Sequence, residues 1–112
     1  MKKIKVTLTN EILELLKKDS LKFNVSMNFL NNSIIDYYIK NEIKRKQNFI
    51  KKEVGLQFFL HKGLKEKYIK TLIERKYKKE VDFLRDIFLE YTKLSINNRN
   101  KIVRGYEKNE DL

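Results

Sequence analysis

A mostly helical fold carrying one short two-stranded antiparallel ribbon is what this sequence predicts, on three observations. The 112 residues contain no proline and only three glycines (Gly55, Gly63 and Gly105), too few turn formers for a many-stranded sandwich or barrel. Two short runs, Ile4 to Leu8 and Leu56 to Leu60, place an apolar residue at every second position, the mark of a half-buried strand. After each run the apolar spacing changes to that of an amphipathic helix. The length suits one compact domain, residues 1–112, or two very small units sharing a core.

The first strand has Ile4, Val6 and Leu8 on one face and Lys3, Lys5 and Thr7 on the other. Thr9 and Asn10 suit a helix N-cap, and Glu11 suits the first turn. Ile12, Leu13, Leu16, Ser20 and Phe23 then form one stripe, with Lys17, Lys18, Asp19 and Lys22 largely opposite. Asn24 fits a left-handed turn position, and Ser26 is a fresh N-cap. A second stripe follows at Phe29, Leu30, Ser33, Ile34, Tyr37 and Tyr38. Residues 40–54, KNEIKRKQNFIKKEV, read as a continuation of this helix that frays into a charged connector, with Gly55 as the first break.

The pattern then recurs. An offset of 52 maps Ile4 to Leu56, Val6 to Phe58, Leu8 to Leu60, Ile12 to Leu64 and Leu16 to Tyr68. Beyond the turn the offset becomes 54, mapping Phe29 to Phe83, Leu30 to Leu84, Ile34 to Phe88 and Tyr37 to Tyr91. The change places two extra residues in the second inter-helix turn, around Lys76 to Lys79. Residues 3–39 and 55–94 are thus two copies of one unit, the second degenerate. Residues 95–112 are a polar tail in which Ile96, Ile102, Val103 and Tyr106 suit a short helix, with Glu107 to Leu112 frayed.

A strand, helix, turn and helix in so short a span, with an outward Lys-x-Thr face and Asn-Val-Ser between the helices, resembles the ribbon-helix-helix family of DNA-binding regulators. The matching text is KIKVTLTNEILELLKKDSLKFNVSMNFLNNSIIDYYI, with Asn24 where the family usually has glycine. One strand and two helices cannot bury their apolar faces alone, and a lone strand leaves its edges open. The resemblance implies that the two copies pair their strands antiparallel within one chain, forming a tandem ribbon-helix-helix pseudo-dimer. That pairing would bury Ile4, Val6, Leu8, Leu56, Phe58 and Leu60 and leave Lys3, Lys5, Thr7, Gln57 and Phe59 projecting. The arrangement is similar to small tandem regulators encoded by archaeal viruses, and the excess of Lys, Asn and Ile is compatible with such a source.

The same resemblance places the ribbon in the major groove of double-stranded DNA, as a transcription regulator. Lys5 would then donate to guanine O6 and N7, Gln57 would form a two-bond pattern with adenine, and Thr7 would offer a hydroxyl and a methyl. Phe59 would meet thymine methyls or be covered by another molecule. The plainer reading of all these side chains is a solvated strand face. A phosphate clamp is implied at the start of the second helix, at Ser26, Met27 and Asn28, where Asn28 would add a side-chain donor. The equivalent Glu80, Val81 and Asp82 would repel a phosphate, leaving Lys78 and Lys79 to compensate, so the reader is expected to be asymmetric.

Charge supports a polyanionic partner. The formal net charge is +11, and residues 40–79 hold 14 Lys and Arg against four acids, a surplus of ten. Other chemistries lack their residues. There is no cysteine, a single histidine (His61, read as a surface or capping residue), no phosphate-binding glycine loop and no nucleophile beside a base. No enzyme activity, metal or cofactor is expected. No run is long and apolar enough for a membrane span, and MKKIKVTLTN lacks the apolar stretch of a signal peptide, so an intracellular protein is expected. Two rival readings remain: an antitoxin-like partner-binding module, and a nonspecific nucleic-acid coat. Side-by-side self-association through Phe59 and the apolar residues of the tail is a further expectation.

Overall fold

Alternation of apolar and polar residues makes two strands here, and neither can stand without the other. The computed structural model describes residues 2–43 and 50–109. In it β1 (Lys2–Leu8) pairs antiparallel with β2 (Val54–Leu60). The register sets Lys3 opposite Phe59, Lys5 opposite Gln57 and Thr7 opposite Gly55 on one face. The other face carries Ile4, Val6, Leu8, Leu56, Phe58 and Leu60, all buried.

Five helices among the described residues share one core with that apolar face. Helices α1 (Asn10–Lys22) and α2 (Met27–Lys40) follow β1. A 3-10 turn at Lys62–Leu64 leads from β2 into α3 (Lys65–Glu74), and α4 (Glu80–Thr92) and α5 (Ile96–Asn109) complete the chain. Thr9 caps α1 by accepting from the Ile12 amide, and Ser26 caps α2 by accepting from the Phe29 amide. Both N-caps are those read from the sequence.

The order strand, helix, helix occurs twice, and the helix ends correspond in detail. Asn24 (φ 55°) and Lys76 (φ 60°) are the non-glycine residues with positive φ among those described, and they stand 52 positions apart. Each closes its helix with the same pair of bonds. The Val25 amide reaches Ser20 O and the Asn24 amide Leu21 O, while the Tyr77 amide reaches Leu72 O and the Lys76 amide Ile73 O. The α3–α4 connection (75–79) is longer than the α1–α2 connection (23–26) by one residue, where the change of offset called for two.

Helix α2 lies at the centre, packed against α1, α3, α4, α5 and β2. Its burial is therefore wider than a stripe: Leu30 to Asp36 and Tyr38 are all buried, while Phe29 and Tyr37 are half-buried. The expected continuation of α2 into the connector does not form, since the helix ends at Lys40. Two groups stop it. Arg75 from the α3–α4 connection donates to Tyr38 O and Ile39 O, the carbonyls that a further turn would use, and Asn41 folds back onto Tyr37 O. Residues 41–43 and 50–53 are irregular, and the rest of the expected connector, 44–49, lies outside the described residues.

The short helix expected in the last segment forms as the 14-residue α5, with Ile102, Val103 and Tyr106 buried in the common core. Those three side chains are therefore not surfaces for self-association; only Ile96 stays exposed. The helix continues through Glu107 to Asn109, where fraying was expected, and residues 110–112 lie outside the described residues. Long polar contacts dock this helix. Arg99 Nε donates to buried Asp19 Oδ2 at 2.8 Å, Tyr91 donates to the same oxygen at 2.6 Å, and Arg104 donates to Phe23 O at the end of α1.

Candidate nucleic-acid interface

The exposed face of the ribbon presents Lys3, Lys5 and Thr7 from β1 and Gly55, Gln57 and Phe59 from β2. None is acidic. The aromatic ring of Phe59 is 46% exposed, an unusual cost for a side chain with no apolar neighbour across the ribbon, where Lys3 stands.

Helix side chains hold both outer edges of the ribbon. Asn28 Oδ1 accepts from the Phe59 amide at 2.8 Å, and Asn32 Nδ2 donates to Phe59 O at 2.9 Å. Asn32 Oδ1 also accepts from the His61 amide at 2.7 Å. Both backbone groups of Phe59 thus point away from β1, so the outward pairs are the non-hydrogen-bonded ones, where facing side chains approach most closely. On the other edge, Arg85 of α4 donates through Nε to Thr7 O at 3.0 Å and through Nη2 to Thr7 Oγ1 at 2.7 Å. An edge left open would be a template for unwanted pairing; here each is partly satisfied by a helix.

These contacts revise the expected phosphate clamp. Ser26 is committed to capping α2, and the Asn28 side chain is tied to the Phe59 amide and to His61 Nε2, so Asn28 is not a free side-chain donor. What the start of α2 retains is its backbone amides. His61 precedes the turn into α3 as a cap residue without a side-chain cap bond, and its ring instead stacks on Tyr106 and bonds the Tyr106 hydroxyl. At the second site Lys79 caps α4 without a side-chain bond, Lys78 and Lys79 are exposed, and Glu80 pairs with Lys2 at 3.3 Å. Glu80 and Asp82 both lie in the first turn of α4, which keeps this end acidic.

The basic surplus is similarly sorted. Arg75 serves α2, Lys70 pairs with Glu74, and Lys40 pairs with Asp36. Lys51, Lys52, Lys62, Lys65, Lys67, Lys78 and Lys79 remain exposed. Arg85, Asn28 and Asn32 are the residues that sequence reasoning did not place at the ribbon. Their contacts span 27 to 78 residues, so no local pattern marks them.

Among the described residues no group of His, Cys, Asp and Glu could hold a metal ion, and no helix is long and apolar enough to cross a membrane. No family model, no curated protein and no solved structure matches this chain.

Proposed function

We propose that the chain is a tandem ribbon-helix-helix pseudo-dimer that binds double-stranded DNA sequence-specifically, as a transcription regulator, by laying its ribbon in the major groove. The single observation carrying this reading is the two-faced ribbon. One face is buried against helices, and the other is an exposed set of donors and acceptors free of carboxylates. A two-stranded ribbon is of a size that the major groove of B-DNA admits. The matching helix ends at Asn24 and Lys76 support the two-copy interpretation. The net charge of +11 supports a polyanion as partner.

In this reading Lys3, Lys5, Thr7, Gln57 and Phe59 face base edges. Phosphates are held by the α2 amides at Ser26, Met27 and Asn28 and by the exposed lysines, including Lys78 and Lys79. If about five lysines meet phosphates, the binding constant falls with a log–log salt slope near −4.5. The deciding experiment measures binding to a duplex enriched by selection, against excess competitor DNA, for the wild type and for Lys5→Ala with Thr7→Ala. Loss confined to the enriched duplex supports the reading. Equal loss on every sequence points to a nonspecific coat, and no DNA binding at modest salt points to a protein partner.

A further inference from the structure

We infer that Thr7 and Arg85 together read the acceptor edge of one guanine, an inference that rests on the groove-binding ribbon proposed above. Arg85 lies 78 residues from Thr7, yet it binds both the carbonyl and the hydroxyl of that residue. A threonine hydroxyl has one proton to donate and two lone pairs. With one lone pair filled by the guanidinium, the proton turns away from Arg85, toward whatever faces the ribbon. The fixed positive charge beside it favours an acceptor there and repels the amino hydrogens of adenine and cytosine. Arg85 therefore acts first as a positioning residue for the Thr7 hydroxyl, and its Nη1 has no partner among the described residues.

Space for a base edge lies alongside. Gly55 faces Thr7 across the ribbon, and a Cβ added there would meet nothing within 4 Å. With Lys5, Gln57, Val81 and Arg85 it lines a shallow cleft of about 320 Å³ that contains no carboxylate. Guanine presents two adjacent acceptors, N7 and O6, on its major-groove edge, whereas thymine presents one beside a methyl. The Thr7 hydroxyl and Arg85 Nη1 supply two donors, the number of acceptors that guanine offers. The other end of the ribbon has no counterpart. By the offset of 52 Phe59 takes the place of Thr7, two asparagines hold its backbone, and by the offset of 54 the equivalent of Arg85 is Asn31, which is buried. The DNA site is therefore asymmetric, with the guanine contact in one half alone.

The test uses the full chain and a duplex enriched by selection, with base analogues placed one at a time. Inosine keeps guanine N7 and O6, while 7-deazaguanine lacks N7. The wild type is expected to tolerate inosine and to lose roughly tenfold in affinity with 7-deazaguanine at one base pair. Arg85→Gln and Thr7→Val should each erase that discrimination, at that base pair alone, with melting curves reporting whether each variant is folded. Thr7→Val keeps the shape of the side chain, so it carries the test if Arg85→Gln does not fold. The inference is overturned if Arg85→Gln weakens every duplex equally, as a phosphate contact would, or if Thr7→Val leaves the analogue pattern unchanged. A wild type with no preference among duplexes would sink the ribbon reading itself, and this inference with it.

Discussion

Lys5 stands directly across from Gln57, and each is the midpoint of a seven-residue strand. The offset that relates the two halves also maps one onto the other, so the pair marks the centre of the ribbon, where symmetry would demand identical residues. The chain instead sets an ammonium donor against an amide that both donates and accepts. The centre of the ribbon is thus chemically unlike on the two strands.

Replacing Lys5 with glutamine would make the centre symmetric. Under the DNA-binding reading, Lys5→Gln should shift the preference at one central base pair from guanine toward adenine. A change of roughly tenfold in relative affinity is expected, from the size of a good bidentate contact. Titration of duplexes differing in that base pair checks it. An unchanged preference would mean that Lys5 contributes only charge.

Much of this centre was legible in advance because it is local. The alternation at 4–8 and 56–60, the caps Thr9 and Ser26, and the turn residue Asn24 each depend on a few neighbouring side chains. What escaped depends on partners far along the chain. Asn28 and Asn32 look like ordinary polar positions on a helix until β2 lies beside them, 27 to 31 residues away. Helix α5 was legible, but its docking was not, because Arg99 and Arg104 reach α1 across about 80 residues. Helix α2 reads as continuing past Lys40 because nothing nearby reveals that Arg75 takes its last carbonyls.

Asp19 is the anchor for α5, and removing its cation should cost more than removing both charges. Its carboxylate is 2% exposed and is shared by Arg99 and Tyr91. Arg99→Ala leaves a buried carboxylate without its cation, a change that costs about 3–5 kcal/mol. Asp19→Leu combined with Arg99→Met removes the charge and its desolvation together, so the loss should be clearly smaller. Urea unfolding of both variants decides. A double variant less stable than Arg99→Ala would contradict the expectation.

Asn31 presents the opposite case. It is fully buried on α2, and neither its Oδ1 nor its Nδ2 has a hydrogen-bond partner among the described residues. Leucine has nearly the same shape and nothing to satisfy. Asn31→Leu should raise stability by about 1–3 kcal/mol, the cost of a buried unmet polar group. A drop in the unfolding midpoint would show that the amide is bonded after all.

Lys76 carries backbone strain that Asn24 avoids. Both hold left-handed φ at equivalent helix ends, but asparagine visits that region readily and lysine does not. Lys76→Gly should therefore stabilise the chain by about 1 kcal/mol, while Asn24→Lys should lower stability by a similar amount. Thermal melts of the two variants should shift in opposite directions.

The phenols of Tyr38, Tyr68 and Tyr91 set an alkaline limit on the fold. Burial pushes the pKa values of Tyr38, Tyr68 and Tyr91 well above the ordinary value near 10, with the hydrogen bond to Asp19 adding to the shift at Tyr91. The unfolded chain releases these protons once pH passes about 10, while the folded chain keeps them. Their contribution to stability is therefore complete below pH 10 and is lost as pH rises, by up to about 4 kcal/mol per pH unit for three groups. A domain with about 5–8 kcal/mol of stability, the lower part of the ordinary range, therefore unfolds between about pH 11 and 12. Absorbance at 295 nm and far-ultraviolet ellipticity, recorded together, should show these phenols ionising only as helix is lost. The hydroxyls of Tyr38 and Tyr68 lack hydrogen-bond partners among the described residues, so Tyr38→Phe with Tyr68→Phe gives up no bond there. The same double variant leaves one of these three protons, that of Tyr91, which should move the alkaline midpoint upward and flatten the dependence of stability on pH. Ionisation of the buried phenols with ellipticity intact would contradict this account.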